Sequence, residues 1–266
     1  MFPFQALATW SVIAVDRATH RIVMSTATCV PQSIFAGTRF KTLADIQAVV
    51  APGAGAAAAQ ALADPTGTDQ ALIRRELARG IRPAVILQNL KVIDKDIQAR
   101  QFGILDVHGN AVGFSGSDVS RVALHVQGHL RRSPIAYSIQ GNTLRSSAVI
   151  LNAERAFQRT RGTLPDRTLA AMVAGDAAGG DRRCSCSSQP LPKGPCTTRN
   201  ALIAYLLVAD PRKEIGTGNG RGASAAGHRT TPFFYVTDEN LRPGESVDPV
   251  ITLRARYEAW LRASHR

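Results

Sequence analysis

The stretch Ala6-Leu7-Ala8-Thr9-Trp10-Ser11-Val12-Ile13-Ala14-Val15-Asp16 carries two signals at once. Ala6-Leu7-Ala8 is a small-x-small triplet of the kind a signal peptidase cuts after. Thr9, the next residue, opens an apolar run that reads as a buried strand. A chain cut after Ala8 would begin at Thr9 with a free α-amine. The ordinary pKa of such an amine is about 7.7–8.0, so it can act as base for the Thr9 hydroxyl. The bland alternative is an Ala-rich triplet beside an ordinary strand threonine. Residues 1–8 are too short for a full signal peptide and lack a basic segment. They read as the end of a signal peptide or as an N-terminal extension, and residues 9–266 as a single domain.

Outward from this stretch, residues 9–15 and 21–28 read as a hairpin around the polar turn Asp16-Arg17-Ala18-Thr19-His20. Residues 46–51 form a third strand. Residues 53–61 stay open: alanines favour helix, but small residues also suit a closely packed strand. Thr68 or Asp69 caps a helix that Gly80 stops, and Pro83 opens a second one. Residues 100–107 and 111–115 flank the turn His108-Gly109-Asn110, and residues 135–140 form another strand. Two helices follow, over residues 146–161 and from Pro165 to Gly175. Residues 176–198 read as loop, 200–209 as strand, 214–231 as a Gly-rich loop, 233–236 as strand and 249–264 as a closing helix. Strands in groups with helices delivered in pairs predict an α+β fold. The arrangement is a four-layer αββα sandwich, two antiparallel sheets between helix layers.

Composition narrows the function classes. The formal charge is +12, but no block of five or six basic residues occurs and aromatics are only 6% of the chain. A nucleic-acid binder would concentrate that charge and interleave it with aromatics. Nucleic acid is therefore not an expected partner, and an anion binder driven by charge ranks last. No run of 18 apolar residues exists, so no membrane span is expected. Cys29, Cys184, Cys186 and Cys196 are even in number. Their spacing lacks paired Cys-x-x-Cys zinc geometry, so disulfides in an exported protein are the preferred reading, with three pairings open.

Other motifs are weaker. Gly216-Thr217-Gly218-Asn219-Gly220-Arg221-Gly222 fails the spacing of a dinucleotide loop and reads as surface. His125 and His129 stand four apart, yet Gly128 weakens a helix there and a surface loop is favoured. No Gly-x-Ser-x-Gly elbow is present. No metal or cofactor is called for. Residues 174–184 set Asp181 and Arg182 on a glycine-rich backbone, a pattern that can orient a substrate carboxylate or amide. Tyr137-Ser138-Ile139-Gln140-Gly141-Asn142 ends a strand in amide side chains, where Asn142 can donate to an oxyanion or simply make a turn.

Several of these pieces together resemble the domain-of-unknown-function family 1028, which is grouped with the Ntn (N-terminal nucleophile) hydrolases. They are Thr9-Trp10-Ser11-Val12-Ile13-Ala14, Gly53-Ala54-Gly55-Ala56 through Gln60-Ala61, and Arg100-Gln101-Phe102-Gly103-Ile104 with Gly113-Phe114-Ser115-Gly116. Then come Gln127-Gly128-His129, Tyr137 through Asn142, Gly175 through Arg183, and Asp248-Pro249. The resemblance implies the αββα sandwich and matches Thr9 to the family's leading threonine. A secreted-looking subset implies a Cys29–Cys184 bridge, leaving Cys186–Cys196 as a second. The resulting expectation is an exported amidohydrolase, periplasmic or secreted, or cytoplasmic if no cleavage occurs. Thr9 is the nucleophile, Asn142 the oxyanion donor and Asp181 an orienting group. Gln60, Gln140 and Arg182 bind a small-molecule or peptide-like amide, and a homo-oligomer is compatible with this. The alternative is a non-catalytic secreted module that holds a peptide, cell-wall fragment or small metabolite on the same fold.

Overall fold

The computed structural model describes residues 9–184, 199–211 and 232–264. Strands β1 (Thr9–Asp16) and β2 (Arg21–Thr28) form the expected hairpin, with Thr9 opposite Thr28 and Asp16 opposite Arg21. Helix α1 (Leu43–Gln47) then occupies part of the segment expected as strand, and β3 is only Ala48–Ala51. The cause is local. Thr42 and Asp45 cap each other's backbone in a reciprocal capping box, which starts a helical turn.

The alanine-rich segment is a strand, β4 (Gly55–Ala61), paired on both sides with β3 and β5. Ladder bonds on both edges outweigh alanine's helix preference. The small side chains also let two apolar layers close on the strand, Ala56 and Ala58 on one face and Ala57 on the other. Helix α2 (Thr68–Ala78) is capped differently from the expectation. Gly67 takes the N-cap position in a left-handed conformation, and Asp64 accepts the Asp69 amide at 3.0 Å. Asp69 itself turns inward to Arg100, 3.2 Å away.

Next come α3 (Pro83–Ile93), β5 (Arg100–Asp106), β6 (Ala111–Ser115), β7 (Leu124–His129) and β8 (Ile135–Gly141). Strand β7 replaces the loop expected around His125 and His129. Its glycine is a packing device, since a Cβ at Gly128 would overlap the Tyr137 hydroxyl of β8. Helices α4 (Ala148–Arg159) and α5 (Leu164–Ala177), strands β9 (Ile203–Ala209) and β10 (Phe233–Thr237), and helix α6 (Pro249–Ser264) complete the described chain. Gly175, expected to stop α5, lies inside it and faces the Trp10 indole instead. The 1–8 segment, Cys186, Cys196 and the Gly-rich 214–231 stretch lie outside the described residues.

The fold is α+β, with two antiparallel sheets. One has the order β10-β9-β2-β1-β8-β7 and the other β3-β4-β5-β6. One apolar cluster joins the six-stranded sheet to α4, α5 and α6, through Trp10, Val12, Ile139, Val149, Met172 and Leu253. Another joins the four-stranded sheet to α2 and α3, through Phe102, Ile104, Ile73 and Leu90. A third fills the space between the sheets.

Strand alternation makes the inter-sheet space polar at one end. Successive side chains of β1 point to opposite faces. Trp10, Val12 and Ala14 therefore meet the helices, while Thr9, Ser11, Ile13 and Val15 face the other sheet. Along that inward face the chemistry changes from apolar Val15 and Ile13 to hydroxylic Ser11 and Thr9. Strand β2 does the same in reverse, from Ile22 and Met24 to Thr26 and Thr28. Strand β4 runs from Ala56 and Ala58 to Gln60, and β5 from Leu105 through Gly103 to Gln101. All the polar halves meet at the end where β1 begins.

Candidate active site

The buried polar cluster is built from neutral groups. Gln101 is its hub: Nε2 donates to Ser115 Oγ and to the Gly141 carbonyl, both at 2.9 Å. Its Oε1 accepts from Gln60 at 2.6 Å and from Asn142 at 3.1 Å. Gln60 also donates to the Thr9 carbonyl at 3.3 Å and accepts from the Ser11 hydroxyl at 2.6 Å. Gln47 donates to Ser11 at 2.9 Å and accepts from the Tyr205 hydroxyl. Thr26 Oγ1 lies 3.1 Å from Ser11, Gln47 and Tyr205. Burial pushes the Tyr205 phenol above its ordinary range, so it stays protonated as a donor.

Thr9 is fully buried at the edge of this cluster. Its carbonyl accepts from the Asn142 amide at 3.0 Å, which brings the end of β8 alongside. Thr28 stands opposite in the β1–β2 ladder. The groups named around the Thr9 carbonyl include neither an imidazole nor a carboxylate. A threonine hydroxyl needs a base to become a nucleophile.

Asp181 approaches from the other side. It is fully buried and accepts from the Cys29 amide at 2.8 Å, and from Arg183 through Nε at 3.1 Å and Nη2 at 2.7 Å. Its carboxylate is thus occupied in holding its own loop to the residue after Thr28. A disulfide between Cys29 and Cys184 fastens the same junction, with Cα atoms 5.7 Å apart. The loop lies over Trp10: a Cβ at Gly180 would stand 2.7 Å from the indole. Arg182 is exposed and donates to the Arg121 carbonyl at 3.2 Å.

Of the residues singled out in the sequence, Thr9, Gln60 and Asn142 come together directly, and Asp181 joins through Cys29. Gln140 is buried one pair along β8, donating to the Ala58 carbonyl at 3.0 Å. Its oxygen fits against Gly103, where a Cβ would lie 2.7 Å from it. Arg182 stands outside the cluster. Sequence reasoning missed Gln101, Gln47, Ser11 and Thr26. The available signal was a polar residue on the inward face of an otherwise apolar strand, repeated in four strands.

A family of unknown function (DUF1028) matches residues 9–191, beginning at Thr9. The chain belongs to this family. The crystal structure of the protein SPO2555 from Silicibacter pomeroyi, also of DUF1028, is similar, with a TM-score of 0.64 at 19% identity. That similarity covers 97% of this chain and 89% of the other, and at this identity it shows a shared fold alone. No curated protein matches the chain.

Below the Trp10 shelf lies a pair of buried acids. Asp176 ends α5 and Asp248 precedes α6, where Asp248 accepts the Asn200 and Val250 amides at 2.8 Å. Burial, reinforced by the Asp248 charge, pushes Asp176 up to about 8. The folded state then keeps a proton that the unfolded chain, with an Asp pKa near 3.8, has released. The Asp176 contribution to stability is complete below that value and is lost as pH rises towards about 8. The slope from this one group is about 1.4 kcal/mol per pH unit. Asp176→Asn, neutral at every pH, should give a flatter melting profile and a higher Tm than wild type above about pH 8. Thermal melts of both proteins across this range check it; parallel profiles would refute it.

Proposed function

We propose that this member of DUF1028 is an exported N-terminal-nucleophile amide hydrolase, active once Thr9 becomes the first residue. On this reading its two sheets and flanking helices are the four-layer αββα sandwich of that superfamily. The observation that carries the reading is Thr9 at the start of β1, inside a buried cluster of amides and hydroxyls. A free Thr9 α-amine would serve as its base, and its ordinary pKa lies near neutrality.

The steps then follow. The amine takes the proton from Thr9 Oγ1 as that oxygen bonds to the substrate carbonyl carbon. The carbonyl π pair moves to oxygen, and an amide donor, Asn142 first among those present, stabilises the oxyanion. Collapse breaks the C–N bond, and the ammonium proton leaves with the amine product. Water attacks the resulting ester with the same amine as base, releasing acid and restoring Thr9. The roles of Gln60 and Gln101 are to fix the Thr9 main chain and the Asn142 amide.

Export is supported by the Cys29–Cys184 disulfide, since such bonds persist in oxidising compartments. The start of the family match at Thr9 supports the cut after Ala8. The test is N-terminal sequencing of protein exported from its native host, with amide turnover compared between that form and the uncut 266-residue chain. Activity confined to a form that begins at Thr9 is the expected result. A mature form that keeps residues 1–8 and turns over amides would overturn the proposal.

A further inference from the structure

Three loop segments border the strand end that carries Thr9 and Asn142, and main-chain bonds tie them into one rim. The Thr143 amide donates to Ser120 at 3.0 Å and the Leu144 amide to Val122 at 3.1 Å. The Arg182 amide donates to Thr143 at 3.1 Å and the Arg145 amide to Gly180 at 3.0 Å. Leu144 and Asp181 form an isolated β-bridge. This rim carries Arg121, Arg145, Arg182 and Arg183. Its single acid, Asp181, is buried and already bound by Arg183.

Position sets these arginines apart: Arg17, Arg39 and Arg131 are exposed as well, but the rim arginines border the strand end that carries Thr9. Arg121 and Arg145 are exposed and make no ion pair among the described residues. Asp118, three residues before Arg121, instead accepts from the Ser117 hydroxyl at 2.7 Å. The rim is also held in shape. The Arg145 stem lies against Gly179, where a Cβ would come within 2.7 Å of Arg145 Cγ, and Arg182 reaches the Arg121 carbonyl. Guanidinium groups that no acid occupies recognise planar anions, and a carboxylate fits their fork.

We infer that the Thr9 site takes a carboxylate-bearing amide, with Arg121 and Arg145 holding the carboxylate at the rim. This rests on the hydrolase reading for the location of the reacting bond, but not for the anion preference itself. Two arginines on one carboxylate, partly exposed, should give about a tenfold preference over a neutral twin.

The probes are glutarate and its neutral analogue glutaramide. Binding is measured by calorimetry on the chain that begins at residue 9 and carries Thr9→Ala, where no turnover can intervene. Glutarate should bind at least about tenfold tighter than glutaramide. The preference should weaken with added salt and fall to near unity in the double variant R121Q/R145Q. Both positions are exposed, and thermal melts establish that the variant remains folded. Equal binding of the two probes, no binding of glutarate, or a preference kept in the folded double variant would each overturn the inference. A chain that binds glutarate yet hydrolyses no amide keeps this inference and loses the hydrolase reading. One that hydrolyses neutral amides but ignores glutarate does the opposite.

Discussion

Thr9→Ala, placed in a chain that begins at residue 9, should lower amide turnover by at least about 10³-fold while leaving the fold intact. The fold argument is direct. Thr9 takes part in the sheet through its backbone: it pairs with Thr28 and accepts from the Asn142 amide, and alanine keeps both contacts. Loss of a hydroxyl and a methyl at a buried position costs at most about 2 kcal/mol, against total stabilities of about 5–15 kcal/mol. The activity argument rests on the absence of a substitute. Ser11 is the next hydroxyl on the same face of β1, but its proton is committed to Gln60 at 2.6 Å, and no base adjoins it in the cluster. Thr9→Ser keeps nucleophile and amine together and should retain turnover within about 10²-fold of wild type. The pair is measured as kcat/KM with calorimetric binding of the same amide. Turnover unchanged by Thr9→Ala would remove Thr9 from the mechanism. No turnover in the wild type, with binding unaffected by the substitution, would make the protein a binding module.

The parts of this molecule that were legible in the sequence are those set by local chemistry. Two β-rich, apolar runs around a polar turn gave the β1–β2 hairpin, and helical periodicity gave α4, α5 and α6 to within two residues. Elements defined by distant partners were not legible. Strand β7 has a mixed inward face of His125, Gln127 and His129, and becomes a strand only because β8 pairs with it. Strand β4 is mostly alanine, and two neighbouring strands decide its state. The site divides in the same way. Thr9 was visible because a chemical event, a cut, would act on one local sequence. Gln101 was invisible because its role as hub depends on Gln60, Ser115, and Gly141 with Asn142 arriving from three other strands. Asp69 shows the reverse case: its local chemistry, like that of Thr68, suits a cap, but burial beside Arg100 uses it as an ion-pair partner.

Loss of the Cys29–Cys184 disulfide should have a large effect on stability. The two cysteines are 155 residues apart, so the bond removes a long loop's closure entropy from the unfolded chain. On the chain-entropy account that is worth about 5 kcal/mol, and measured native bridges run about 2–5 kcal/mol. The double variant Cys29→Ala/Cys184→Ala should therefore unfold at a markedly lower urea concentration, with a larger m-value because the unfolded chain without the crosslink exposes more surface. The bond also has a local consequence that a purely entropic brace would lack. It closes a ring through the Cys29 amide and the Asp181 carboxylate, which are joined at 2.8 Å beside Thr28. Asp181→Asn leaves the covalent link but replaces one charged acceptor and strips Arg183 of its bidentate partner. Hydrogen exchange at the Cys29 amide separates the two effects. Cutting the disulfide should speed that exchange together with global unfolding, because both follow the lost stability. Asp181→Asn should speed it locally while the urea midpoint moves by less than half as much. An Asp181→Asn midpoint as low as that of the double cysteine variant would mean that the buried ion pair, and not the disulfide, holds the rim to the strand carrying Thr28.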